Sequence, residues 1–183
     1  MKQTLLSELK KLESMPRVDR EFLRRAYERL EKGSNFLTKT ERVPEHFCVF
    51  FVPVHYASHA IYLGHHIKAN DWIPPGGHIE PNELPVDAVK REFAEELHFN
   101  LKDEKIELFS LSIKDVTHPE GYCARHFDLW HLVYMDEKTN YDFLKKEYYD
   151  AGWFEFTKGA EKISKNPDFK KIVLQISAYL KNA

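Results

Sequence analysis

Leu5, Leu6, Leu9 and Leu12 recur at the spacing that lines one side of a helix, and Met15-Pro16 ends the pattern. Asp19 can cap a second helix carrying Phe22, Leu23, Ala26, Tyr27 and Leu30, stopped at Gly33. A continuous apolar run, Phe47 to Val54 (FCVFFVPV), reads as a buried strand interrupted by Pro53. Ala60 to Ile67 is its partner, with a turn around Ala57-Ser58. Trp72-Ile73 lead into a Pro-Pro-Gly-Gly turn, Pro74 to Gly77. From about Leu84 to His98 the apolar period returns to 3.6, with Val86, Val89, Phe93 and Leu97 on one stripe and Pro85 in the first turn, where a missing N–H costs nothing. Strands follow near Ile106 to Ile113 and Ala124 to Met135. A short helical turn is expected over Asp142 to Glu147 and a last strand over Gly152 to Phe156. A closing helix runs to Lys181, with Asn166 as N-cap and Pro167 at the first helical position. Strands and helices alternate, so the expected class is α/β, an α+β sandwich with a mixed β-sheet between helices. Residues 1–40 form an N-terminal helical extension and residues 41–183 the main domain.

Composition narrows the function classes. A chain of 183 residues with 43% hydrophobic content supports one well-cored domain and a short extension. The formal charge of −2 provides no global basic field for nucleic acid. Arg17, Arg20, Arg24, Arg25 and Arg29 alternate with acids, as on a solvated helix face. No apolar run approaches a membrane span, and the leucine-and-charge alternation of the N-terminus lacks the apolar core of a signal peptide. Cys48 and Cys123 belong to no CxxC spacing and read as small buried hydrophobes in a reducing compartment, so a cytoplasmic location is expected. The 10 histidines make no HExxH or similar zinc pattern.

The informative stretch is Gly77 to Phe99, GHIEPNELPVDAVKREFAEELHF. Glu92, Glu95 and Glu96 stand at i, i+3 and i+4, so their carboxylates project from one side of the helix. Like charges that close destabilise a helix unless a cation lies between them, and clustered carboxylates suit hard divalent ions. Gly77, Glu83, Arg91-Glu92-Phe93, Glu95-Glu96 and Phe99 fall at the offsets of the Nudix box, G-x5-E-x7-R-E-U-x-E-E-x-G-U, where U is bulky and apolar. His98 stands in place of the second glycine. The chain resembles a Nudix hydrolase, an enzyme that cleaves a nucleoside diphosphate linked to a group X.

That resemblance implies a mixed sheet between helices and Mg²⁺ as cofactor, with Mn²⁺ as substitute. By position, the ligands would be Glu92, Glu95, Glu96 and the carbonyl of Gly76. Glycine at 76 and 77 also permits tight backbone conformations and close approach to the metal. Arg91 and Glu83 would orient the ligands as an Arg–carboxylate pair, although an i, i+4 pair of Arg91 with Asp87 explains the arginine equally simply. The general base would come from Glu92, Glu95 or Glu120, the last in the loop THPEGY. His98 reads as a helix cap in a conformation that glycine adopts more readily.

In the strand RHFDLWHLVY, a period of two puts His126, Asp128, Trp130 and Leu132 on one face. His126 and Asp128 are candidates to contact substrate phosphates or the metal, the alternative being a hydrogen-bonded core or surface pair; His78 beside the box glycine and Trp72 before the turn are further substrate-binding candidates. Tyr62 and Trp130 are alternative stacking platforms, although each of the three aromatics is more often a core residue. Lys114-Asp115 occupy the place where ADP-ribose-type members carry a proline. Val116 stands where dinucleoside-polyphosphate hydrolases favour a tyrosine. The core resembles small nucleotide-cleaning hydrolases, which implies a pyrophosphohydrolase of nucleoside triphosphates, oxidised dNTPs included. An ADP-ribose or nucleotide-sugar hydrolase and a catalytically silent sensor are the alternatives. The N-terminal helices leave room for a homodimer; no nucleic-acid partner is expected, capped RNA remaining open.

Overall fold

The computed structural model describes residues 2–32, 44–116 and 123–182. These hold helices α1 (Lys2–Glu13), α2 (Arg20–Glu31), α3 (Pro85–Leu97), α4 (Phe156–Lys162) and α5 (Pro167–Lys181). The strands are β1 (Glu45–His55), β2 (Ala60–His66), β3 (Asp71–Ile73), β4 (Gly76–His78), β5 (Ile106–Asp115), β6 (Arg125–Tyr134) and β7 (Tyr148–Glu155). The class is α/β with a mixed sheet. Its strand order is β3-β2-β1-β6-β5, with β4 pairing β1 and β7 pairing β2. Two compact units make up the chain. One comprises Met1–Phe50, Gly76–Val89 and Leu108–His131; the other comprises Phe51–Pro75, Lys90–Glu107 and Leu132–Ala183.

In the first unit, α1 and α2 bury Leu5, Leu9, Leu12, Leu23 and Leu30, at most 4% exposed, whereas Leu6 and Phe22 are only half-buried. Asp19 caps α2 by accepting from the N–H groups of Glu21 and Phe22. Arg17 follows α1, donates to the Phe109 carbonyl at 2.9 Å and lies over the Phe109 ring, so the hairpin docks on β5. Gly33, its expected stop, lies outside the described residues. The apolar run after His46 forms β1, whose first half pairs antiparallel with β4 at Cys48–His78, Val49–Gly77 and Phe50–Gly76.

In the second unit, β2 pairs with β3 and, along its whole length, with β7. Four expectations change here. The segment Asp142 to Glu147 forms only a turn, in which the Leu144 carbonyl accepts from the N–H groups of Glu147 and Tyr148. The last strand starts four residues earlier than expected, because Tyr148 to Ala151 continue the ladder on β2. Phe156 is the first residue of α4, its aromatic side chain buried rather than extending the strand. Asn166 precedes α5 as foreseen, yet its side chain makes no cap; its amide donates to Asp71 instead.

Candidate active site

Within the second unit, α3 presents its carboxylates unequally. Glu92 and Glu96 are 9% and 7% exposed, on the flank of the buried Phe93 and Leu97. Phe93 stacks on Phe51 at 5.0 Å and meets Tyr141 edge-on, which fixes the helix in rotation. Glu95 points outward with a side chain 58% exposed. Arg91 donates to Glu92 Oε1 at 2.7 Å and lies 3.6 Å from Glu95 Oε1, so it ties two box carboxylates together. Glu96 Oε2 accepts a hydrogen bond from the Tyr148 hydroxyl at 2.7 Å. Burial first, then the Glu96 charge, raises the Tyr148 phenol well above its ordinary value, which keeps it a donor.

Tyr148 was not legible as a site residue, since 52 positions separate it from Glu96. Its position depends on Gly64 in β2: a Cβ there would come within 2.3 Å of the tyrosine ring. His98 ends α3 with φ 47°, the left-handed conformation expected of the position that glycine vacates, and its Nδ1 lies 3.3 Å from Asp142.

In the first unit, Gly76 is required by contact with its neighbour strand. A Cβ at that position would meet the Val49 carbonyl oxygen at 2.2 Å and the Phe50 Cα at 2.9 Å. The Gly76-Gly77 pair forms β4 rather than a turn, and Pro74-Pro75 carry the connection from β3. Beyond it, Glu83 closes a loop by accepting from the Glu80 N–H at 2.9 Å.

The same unit gathers histidines. His46, His78 and His126 pack with ring centroids 4.7 to 5.3 Å apart, and Cys123 Sγ lies 3.8 Å from His78 Nε2. Burial, then the neighbouring His46 and His78, lowers His126 to about 3, so its ring is neutral at physiological pH. Asp128 is 1% exposed, and burial pushes it up to about 7 although Ser112 donates to its Oδ2. Trp130 donates to the same Ser112 hydroxyl, which makes it part of a core relay and not a stacking platform. Tyr62 is likewise core, at 1% exposure. Cys123 lies before β6, not within it. Neither His46 nor Cys123 stood out in the sequence; the C-x2-H spacing of Cys123 and His126 was the only local signal. Glu120 lies outside the described residues.

Trp72, in the second unit, is half-buried. Its indole stacks on His65 at 5.4 Å, meets Phe154 edge-on, and carries the Lys162 ammonium 4.3 Å above it.

Residues 44–175 match the family model described as the NUDIX domain. Over 65 residues the chain is 37% identical to the m7GpppN-mRNA hydrolase NUDT17 of Danio rerio. That stretch is 36% of this chain and only 16% of the length of that relative. The E. coli dihydroneopterin triphosphate pyrophosphohydrolase superposes with TM-score 0.64 at 15% identity, over 75% of this chain and 96% of the other. A C. elegans Ap4A hydrolase gives 0.62 at 18% identity, over 75% and 98%. These two likenesses speak to the fold. The family model covers well over half of the chain and takes in the whole of α3 with its carboxylates, and the chain belongs to the Nudix family of pyrophosphohydrolases.

Proposed function

We propose that the protein hydrolyses a phosphoanhydride bond in nucleoside triphosphates, oxidised dNTPs included, with Mg²⁺ held by Glu92, Glu95 and Glu96. The observation that carries this reading is the pair of nearly buried carboxylates on one flank of α3, each held by a hydrogen-bonding partner, Arg91 or Tyr148. Nudix hydrolases generally use a divalent metal. The donor set fits one: the oxygens are hard, anionic and oriented, as Mg²⁺ or Mn²⁺ requires. The Gly76 carbonyl is the further ligand that the family resemblance implies. When bound, the cation neutralises charge building on the phosphate oxygens and acidifies water.

Glu95 is the box carboxylate with solvent access, and it is the group we assign to take the proton from the attacking water. Arg91 holds the Glu92 carboxylate in place, and Glu83 shapes the loop that precedes the helix. Trp72, half-buried beside the Lys162 ammonium, is assigned to substrate binding. Residues 1–40 are an extension to the catalytic domain, a division supported by the start of the matched model at residue 44. No helix among the described residues is long and apolar enough to cross a membrane, and we place the enzyme in the cytoplasm, with a homodimer as an open assembly.

One observation favours a second substrate. The 65-residue stretch shared with a relative named for hydrolysis of m7GpppN-mRNA brings 5′-capped RNA into the substrate set.

The test is hydrolysis of a panel holding canonical and oxidised dNTPs, capped RNA, ADP-ribose, nucleotide sugars and dinucleoside polyphosphates. Turnover of one class is expected, falling to background in excess chelator and returning with Mg²⁺ or Mn²⁺. Metal-independent turnover would contradict the metal assignment. Absence of turnover on every member, with nucleotide still bound, would favour the silent sensor.

Tyr148→Phe tests the orientation of Glu96. Losing one buried hydrogen bond to a carboxylate is expected to cost about 1–3 kcal/mol of stability. Loss of an outer partner should raise the metal concentration for half-maximal activity by roughly 10- to 100-fold. An unchanged metal dependence in a folded variant would show that Tyr148 is structural only.

A further inference from the structure

The box carboxylates leave unused the histidine cluster of the first unit. His46 on β1, His78 at the end of β4, Cys123 before β6 and His126 on β6 each direct one donor atom to a common point, with all four atoms within 4.8 Å of one another. Bonds of about 2.0–2.3 Å place the ligand atoms of a tetrahedral zinc ion roughly 3.3–3.8 Å apart. The Cys123 Sγ to His78 Nε2 separation of 3.8 Å already stands at that edge length.

The backbone converges the four residues from distant stretches. Cys48 and His78 are cross-strand partners between β1 and β4, and His46, two residues before Cys48, shares its face of β1. The N–H groups of Ala124 and Arg125 both donate to the Pro44 carbonyl, at 2.7 and 2.9 Å, which brings the start of β6 against the start of β1. His126 Nε2 is buried and makes no hydrogen bond among the described residues. An Asp128 oxygen and the Cys48 sulfur also lie within 4.8 Å of a His126 nitrogen.

We propose that His46, His78, Cys123 and His126 form a second metal site that takes one Zn²⁺ and clamps β4, the strand opening the Nudix box, to β1 and β6. Three imidazoles and one thiolate are borderline-soft donors. They select a late first-row ion over Mg²⁺, whereas the α3 carboxylates select the reverse.

Co²⁺ added to the metal-stripped full chain distinguishes the two sites, because only a thiolate ligand gives an intense near-ultraviolet sulfur-to-cobalt band. That band is expected to saturate at one equivalent of Co²⁺. Excess Zn²⁺ should erase it, and Mg²⁺ should leave it unchanged. It should be absent in Cys123→Ser and present in Cys48→Ser. It should also be intact in Glu96→Gln, so it stands or falls apart from the hydrolase reading. His126→Ala is expected to weaken Co²⁺ binding at least 10-fold. No band in the wild type, or a band that survives Cys123→Ser, overturns the site. X-ray absorption at the zinc edge of the wild-type protein gives the same decision without a variant. One sulfur among nitrogen scatterers supports the site, and an all-oxygen shell refutes it.

Discussion

Glu96→Gln is expected to lower turnover by roughly three orders of magnitude while the fold persists. Gln matches Glu in shape, so the side chain can still accept from the Tyr148 hydroxyl that now meets Glu96 at 2.7 Å. The substitution removes one negative charge from a position 7% exposed. An oxyanion contact or metal-ligating charge acts mainly on the transition state, where its loss typically costs roughly 10²- to 10³-fold or more in kcat. Stability should move little or rise, because a neutral amide is less costly to bury than a carboxylate. Steady-state kinetics at saturating divalent metal, together with a thermal melt, separate the two effects. Near-wild-type kcat in a folded variant would remove Glu96 from the ligand set.

The box was readable in advance because its information is local: the carboxylates, the arginine and the buried stripe of α3 all lie within 13 consecutive residues. The same holds for the Asp19 cap and for β1, whose apolar run needs no partner to be recognised. What the periodicity could not supply was tertiary pairing. β7 takes its length from the ladder on β2, not from its own alternation. Unequal burial of Glu92, Glu95 and Glu96 follows from helix rotation set by Phe93 against Phe51, a contact spanning 42 residues of sequence. Tyr148 and the four-residue His/Cys cluster were illegible for the same reason. Each ligand or donor is unremarkable alone, and only the strand register makes them neighbours. Asn166 shows the converse: it has the right type and place for a helix cap, yet a buried anion claims its side chain.

That anion gives the second large expected effect. Asp71 opens β3 at 2% exposure and accepts four hydrogen bonds, at 2.8 to 3.0 Å, from the Ser164 N–H and hydroxyl, the Lys165 N–H and the Asn166 amide. It fastens β3 to the segment between α4 and α5. Asp71→Ala leaves these donors without their acceptor and is expected to cost about 3 kcal/mol or more. For a chain this long that is a fall in Tm of about 10 °C.

The effect has a pH signature. Burial alone would raise the Asp71 carboxyl, but the hydrogen bonds from Ser164, Lys165 and Asn166 outweigh it and hold the group below its ordinary value of 3.8. A folded-state value below the unfolded one means that the contribution is fully present above about pH 4 and disappears as pH falls through the folded value. The Tm difference between wild type and Asp71→Ala should therefore be widest at neutral pH and shrink in acid. Asp71→Asn, which keeps one acceptor oxygen but no charge, should fall between them at pH 7 and approach wild type at low pH. A wild-type-to-Ala difference that stays constant from pH 7 to the acid limit of folding would mean that the ionised carboxylate is not what fastens β3.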